Sequence, residues 1–245
     1  MCGRLNVTAD PLTQLLMAAF GIAATPTTNH NLAPTEDVLV VRPKASTPDD
    51  SPSYRADQLR WWLTPSWSSG PSTRYAMFNA KSETLLEKRS FAKPFRTQRC
   101  VVPVKGYYEW QRGEREKLPF HISGTAGEGL LLAGLWDTYT DPASDSKLES
   151  CAIVTAAAHE QLSEVHHRQP VFLSPSEALR WLDHSLDVAE LGELMVPHLP
   201  TPLQIDPVST HVNNARNKDS RCTQPVASGF RSSNAEQEQD LFDLD

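Results

Sequence analysis

Arg99-Cys100-Val101-Val102-Pro103-Val104-Lys105-Gly106-Tyr107-Tyr108-Glu109-Trp110 decides how this chain is read. Its first half is an apolar, β-branched run, the pattern of a buried strand. Outward from it, short β-type runs recur near 60–63, 75–78, 119–122, 130–136 and 150–155. Turn residues lie between them, and that spacing predicts an antiparallel, barrel-like β core. Toward the start, 8–21 reads as a helix, with Asp10 as N-cap, Pro11 in its first position and Gly21 as its stop. Leu12, Leu15, Leu16, Ala19 and Phe20 give it an apolar stripe. Residues 22–36 read as loop, Val38–Arg42 as a strand, and 43–58 as a surface excursion rich in Pro, Ser and Asp. Toward the end, Ser174-Pro175-Ser176-Glu177 is a capping box that opens a helix. A short helix near 188–195 and a strand near 203–208 follow. The expected class is α+β, with helices flanking one β core in a single domain over 1–226. Residues 227–245 read as a disordered acidic tail.

With 245 residues and 39% hydrophobic side chains, the chain has enough apolar content for a real core. No run approaches the roughly 18 apolar residues that cross a bilayer. The start, Met1-Cys2-Gly3-Arg4, lacks the apolar region of a secretory signal, so the expectation is a cytoplasmic monomer with no membrane partner. Cys2, Cys100, Cys151 and Cys222 are scattered with no C-x-x-C pair, which argues against a disulfide framework, a zinc site or any metal cofactor. Cys100 and Cys151 sit in apolar runs and read as small core residues.

The net charge of −7 argues against nucleic acid until its distribution is considered. The segment 231–245 holds Glu236, Glu238, Asp240, Asp243 and Asp245 against Arg231 alone. Between 74 and 105 lie Arg74, Lys81, Lys88, Arg89, Lys93, Arg96, Arg99 and Lys105 against only Glu83 and Glu87. A stripe of that kind either follows a phosphate backbone or is a solvated face.

Four segments carry reactive groups. Cys2 becomes the first residue if Met1 is removed, which leaves an amine and a thiol on adjacent carbons. Such a pair condenses with an aldehyde to an imine and then closes a thiazolidine ring. Asn79, in Phe78-Asn79-Ala80-Lys81-Ser82-Glu83-Thr84, is either a turn residue or an amide beside the reacting carbon. Glu109, between aromatics, is either an ion-paired strand residue or a proton carrier of raised pKa. His166, in Val165-His166-His167-Arg168-Gln169-Pro170, is a candidate acid or base near neutral pH. The adjacent histidines do not make a metal pair, because neighbours in an extended chain point to opposite faces.

The ordered set of motifs resembles the SOS-response-associated peptidase (SRAP) family of abasic-site processing proteins. The resemblance runs from Met1 to about Asn217 and includes the MCGR start, Asn31-Leu32-Ala33-Pro34-Thr35 and Trp61-Trp62-Leu63-Thr64-Pro65-Ser66-Trp67. It continues through FNA-x-SET, GYYEW, Ala133-Gly134-Leu135-Trp136, H-x-R-x-P and Val208-Ser209-Thr210 with Asn213-Asn214. It implies a single SRAP domain that binds abasic single-stranded DNA and crosslinks it through Cys2 after Met1 is removed. It also implies Asn79, Glu109 and His166 as the other active-site residues. Arg4, Arg89 and Lys81 are then expected on phosphates, and Trp67 with Trp61 or Trp62 on a base. Lys81 stands where arginine is usual, Trp62 where glycine is usual, and Gln169 where Met or Arg is common.

Two rivals remain at this level: an N-terminal-nucleophile amidohydrolase, which also starts Met-Cys-Gly, and a DNA-binding module without chemistry. In the tail, Glu238-Gln239-Asp240-Leu241-Phe242 is similar to the clamp-binding peptides of bacterial replication proteins, so a sliding clamp is a candidate partner.

Overall fold

The computed structural model describes residues 2–44, 52–112 and 117–226. Met1, the tail and its Glu238–Phe242 motif lie outside these described residues. The first third of the chain forms β1 (Arg4–Val7), α1 (Ala9–Phe20), β2 (Asn29–Leu32), β3 (Asp37–Pro43), β4 (Tyr54–Trp61) and β5 (Asn79–Lys81). Next come α2 (Arg89–Thr97), β6 (Arg99–Val104), β7 (Gly106–Arg112), β8 (Lys117–Gly124), β9 (Leu130–Thr140) and β10 (Lys147–Ala157). The last are α3 (Glu160–Ser163), β11 (Arg168–Pro170), β12 (Phe172–Leu173), α4 (Pro175–Leu182), α5 (Val188–Gly192) and β13 (Leu203–Pro207).

Strands β10, β4, β3, β6 and β9 pair in that order, and β9 pairs back onto β10, so the five close into a barrel. The expected barrel-like core is present, and its pairing is antiparallel except at one seam. There β10 runs parallel to β4, with Cys151 opposite Trp61. A second sheet, in the order β13-β8-β7-β1-β2, packs against the barrel.

Alternation along the barrel strands explains why both faces are apolar. Val38, Val40, Cys100, Val102, Leu130 and Leu132 join Leu5, Val7, Tyr107 and Ile122 of the second sheet in one buried cluster. Their neighbours Leu39, Val41, Val101, Leu131 and Ala133 join Leu16, Phe95, Trp181 and Leu191 of the helices in another. Period-two side chains thus bind one layer to the sheet and the other to the helices. Gly134 is required for this fit, because a Cβ there would lie 2.8 Å from the Cys100 sulfur.

Two buried arginines tie elements together. Arg42 donates through Nε to Asp57 at 2.7 Å and through both terminal nitrogens to Glu149, with its guanidinium 4.3 Å over the Trp136 ring. Arg99 donates to the carbonyls of Phe95, Arg96, Trp181 and Asp183, at the ends of α2 and α4. Arg99 is completely buried, so it leaves the expected basic stripe; Lys81, Lys88, Arg89, Lys93 and Arg96 remain exposed.

Several elements match their sequence signals. The Ser174–Glu177 capping box is formed in both directions, and Gly21 caps α1 at φ 65°. The N-cap of α1 is Thr8 rather than the expected Asp10 and makes no side-chain cap bond, while Asp10 has extended backbone angles, so regular helix begins after it. The excursion expected over 43–58 gives way at Tyr54 to β4, whose charged residues are accommodated by pairing with β3. The run at 75–78 is irregular, and the strand begins one residue later, at Asn79. Part of the 22–36 loop is β2, recruited by β1. Among the described residues no helix is long and apolar enough to cross a membrane.

Candidate functional site

Strand β10 is the spine of the site. Its eleven residues outlast its barrel partners, so β5 continues the edge begun by β4, and β11 pairs with β10 beyond the span of β9. Asn79 pairs opposite Ile153, while Thr155 pairs opposite Lys81 on one side and Pro170 on the other. The segments carrying Asn79 and His166 therefore flank the same end of one strand. The second sheet brings the remaining two groups. Arg4 pairs opposite Tyr108, and continuing that antiparallel register carries residues 2 and 3 alongside Glu109 and Trp110.

The structure thus gathers Cys2, Asn79, Glu109 and His166. Asn79 Nδ2 donates to the Cys2 carbonyl at 2.8 Å, and its own Oδ1 is buried without a partner among the described residues. Asn79 is held from behind, since the Phe78 carbonyl accepts from Trp61 Nε1 at 2.9 Å and from the Ile153 amide at 3.0 Å. Cys2 is fully buried; burial, then the nearby Glu109 carboxylate, push its thiol well above the usual range. Glu109 is 4% exposed, and desolvation raises its carboxyl above the ordinary carboxylate range.

His166 is half-buried and stacks on exposed His167 with ring centroids 4.3 Å apart. The Arg168 amide donates to His166 Nδ1 at 3.0 Å. The Arg168 carbonyl lies 3.2 Å from the same nitrogen, so the backbone of Arg168 brackets Nδ1 with one donor and one acceptor and fixes the ring's position in either tautomer.

A surface pocket opens over this cluster, lined by Arg4, Phe78, Glu109, Trp110, Lys117, His166 and Asn213. Cys2 lies outside that lining. Phe78, Trp110, Lys117 and Asn213 had no assigned role in the sequence reading. Trp110 was visible beside Glu109, and its indole donates to Asn213 Oδ1 at 2.7 Å. Lys117 lies outside every motif, seven residues past Trp110, and enters because β8 folds back on β7.

The expected DNA contacts separate into three kinds. Trp67 is 48% exposed, with the exposed Arg89 guanidinium 4.2 Å over its ring, and Lys81 is exposed nearby in the chain. Arg4 reaches the pocket, yet it donates to Asn31 Oδ1 at 2.9 Å and to the carbonyls of Val212 and Asn213. Those bonds fasten the segment after β13 to the chain start. Trp61 is a correction: it is 0% exposed and cannot stack on a base, and its indole supports Phe78 and Asn79 instead.

Fold and pocket together define a barrel protein that builds a polar site around its second residue. The chain belongs to the SOS response associated peptidase (SRAP) family, whose sequence model it matches over residues 1–215. It is 30% identical over 222 residues to the abasic site processing protein YoqW of Bacillus subtilis, covering 89% of this chain and 96% of that one. It is 32% identical to the abasic site processing protein HMCES of Pongo abelii, covering 82% of this chain and 65% of that one. A solved protein from Bacteroides thetaiotaomicron shares the fold, with a TM-score of 0.75 at 21% identity over 92% of this chain and all of that one.

Proposed function

We propose that this protein processes abasic sites in DNA, capturing them in single strands through the amine and thiol of Cys2 once Met1 is removed. The observation that carries the reading is the Asn79 amide holding the Cys2 carbonyl beside a buried carboxyl. The names of YoqW and HMCES support the same target.

The chemistry follows from the groups gathered there. The abasic sugar opens to its aldehyde, with His166 Nε2 as the proton donor and acceptor. The Cys2 amine adds to the aldehyde carbon, and loss of water gives an imine. Sγ–H then adds across the C=N bond: sulfur bonds to carbon, the proton ends on nitrogen, and a thiazolidine closes. The amine adds first and sulfur second, because ring closure needs the C=N bond that the amine forms. Glu109 takes the amine proton, and Asn79 fixes the terminal residue. Exposed Arg89, Lys81 and Trp67 supply the surface for the strand.

Intact mass spectrometry of the purified protein, before and after incubation with abasic single-stranded DNA, tests the reading. The expected mass lacks Met1 and then gains the DNA strand less one water. A chain that keeps Met1 after exposure to damaged DNA overturns it.

Trp67→Ala is expected to weaken single-strand binding by the equivalent of ~1–3 kcal/mol. Trp61→Phe, which removes the bond to Phe78 and some buried ring volume, should lower the melting temperature and leave affinity unchanged. Filter binding and thermal melts distinguish the two.

Glu109 gives a pH dependence of known sign. Its folded pKa lies above the unfolded value of about 4.3. The base form is therefore lost as pH falls through the raised pKa, and capture slows on that limb. The linkage runs the other way for stability: the folded state binds this proton more tightly, so ionisation costs stability as pH rises. Glu109→Gln should crosslink slowly with a flat acid limb, yet melt higher than wild type at pH 8 and equally near pH 4. A lower melting temperature at pH 8 would mean that the carboxylate is a structural ion-pair partner.

A further inference from the structure

We propose that Arg168 and Glu83 form a positioning pair that fixes His166 relative to the Asn79 strand. The inference deepens the proposed function and rests on it for the role of His166. Glu83 sits in the 3-10 turn Ser82–Thr84 that directly follows β5, and Arg168 is the first residue of β11. Their side chains meet as a fork on a fork, Nη1 to Oε1 at 2.6 Å and Nη2 to Oε2 at 3.0 Å. The same guanidinium donates to the Thr155 carbonyl, at the β10 residue lying between Lys81 and Pro170. One side chain thus links β11, β10 and the turn that follows β5 at the end where the site is built. Its own backbone amide holds His166 Nδ1.

The sheet does not need this bridge for pairing, since β5 and β11 each hydrogen-bond to β10 already. The bridge sets the lateral position of the Arg168 backbone, and so the angle of the ring two residues earlier. Arg168 is 10% exposed and its fork is bidentate, the geometry in which an ion pair has directional force. Glu83 is 51% exposed, so its removal leaves the core intact and reports on position. Neither residue acts on the aldehyde directly in this scheme.

Glu83→Gln, Arg168→Gln and the double variant test the pair. At saturating abasic single-stranded DNA, each single variant is expected to crosslink ~10–100-fold more slowly. DNA affinity and melting temperature should stay near wild type for Glu83→Gln, and the double variant should be no slower than the slower single. Arg168→Lys, which keeps charge but loses the fork, should not restore the rate. Nitrogen-15 spectra of His166 give a readout independent of crosslinking, with the ring-nitrogen shifts moving from their wild-type positions in both single variants. Wild-type rate and an unchanged His166 spectrum in Glu83→Gln overturn the pair. So does an Arg168→Gln defect confined to DNA affinity, which would make the residue a phosphate contact. Should wild type itself form no adduct, the proposed function fails, and the His166 spectra still decide whether the pair positions the ring.

Discussion

Cys2→Ala is expected to bind abasic single-stranded DNA like wild type and to leave no adduct after heating. The side chain lies outside the pocket lining and is fully buried, so trimming it to alanine alters neither the exposed Trp67–Arg89 face nor Lys81. The α-amine survives the substitution, and the imine still forms. Without sulfur the ring cannot close, and water returns the imine to amine and aldehyde. Borohydride added during the reaction should rescue a stable product by reducing the C=N bond. The loss without reductant should exceed ~100-fold, since the covalent step itself is removed. Denaturing gels run with and without borohydride provide the check. Normal heat-stable adducts from Cys2→Ala would remove the thiol from the mechanism.

Arg99→Met should be the most damaging change outside the site. The side chain is fully buried and satisfies four carbonyls at the ends of two helices. Burial pushes its pKa down to about 10, with Asp183 opposing the shift, so the interior only partly compensates its desolvation. Methionine fills similar volume and donates nothing. Four helix-end oxygens would then be left without their charged donor, which costs about 3–5 kcal/mol. For a chain of this size the melting temperature should fall by roughly 10 °C. Crosslinking measured well below the transition should persist, because α2 and α4 pack on the barrel through the cluster of Phe95 and Trp181. A melting temperature within about 2 °C of wild type would show that those carbonyls find other donors.

The sequence disclosed what depended on neighbouring residues. Strand β6 is legible because Cys100, Val101, Val102 and Val104 are apolar on both faces. Helix α4 is legible because a capping box is a four-residue signal. Strand β4 was hidden because Arg55, Asp57, Gln58 and Arg60 look like loop until Arg42 supplies a partner for Asp57. Helix α2 was hidden by Pro94 and by a basic composition that read as a phosphate-facing run. The reactive residues could be picked out as types and through the family resemblance. Their meeting could not, because it depends on β10 pairing with β5 and β11 and on β1 pairing with β7. The misreading of Trp61 has the same origin. Its neighbours Trp62 and Trp67 are partly or well exposed, and only the parallel seam opposite Cys151 takes Trp61 inside.

Strand β10, which forms that seam, also governs when the site can assemble. A nascent chain that has just emerged through Trp110 already contains Cys2, Asn79 and Glu109, yet it lacks the strand on which Asn79 is seated. Only when Ala157 and then Pro170 have left the ribosome can the spine recruit both flanks. Contacts so remote along the chain form late in folding. On the proposed function, the groups that would meet the aldehyde therefore stay unassembled throughout most of translation and come together at about the time the barrel closes.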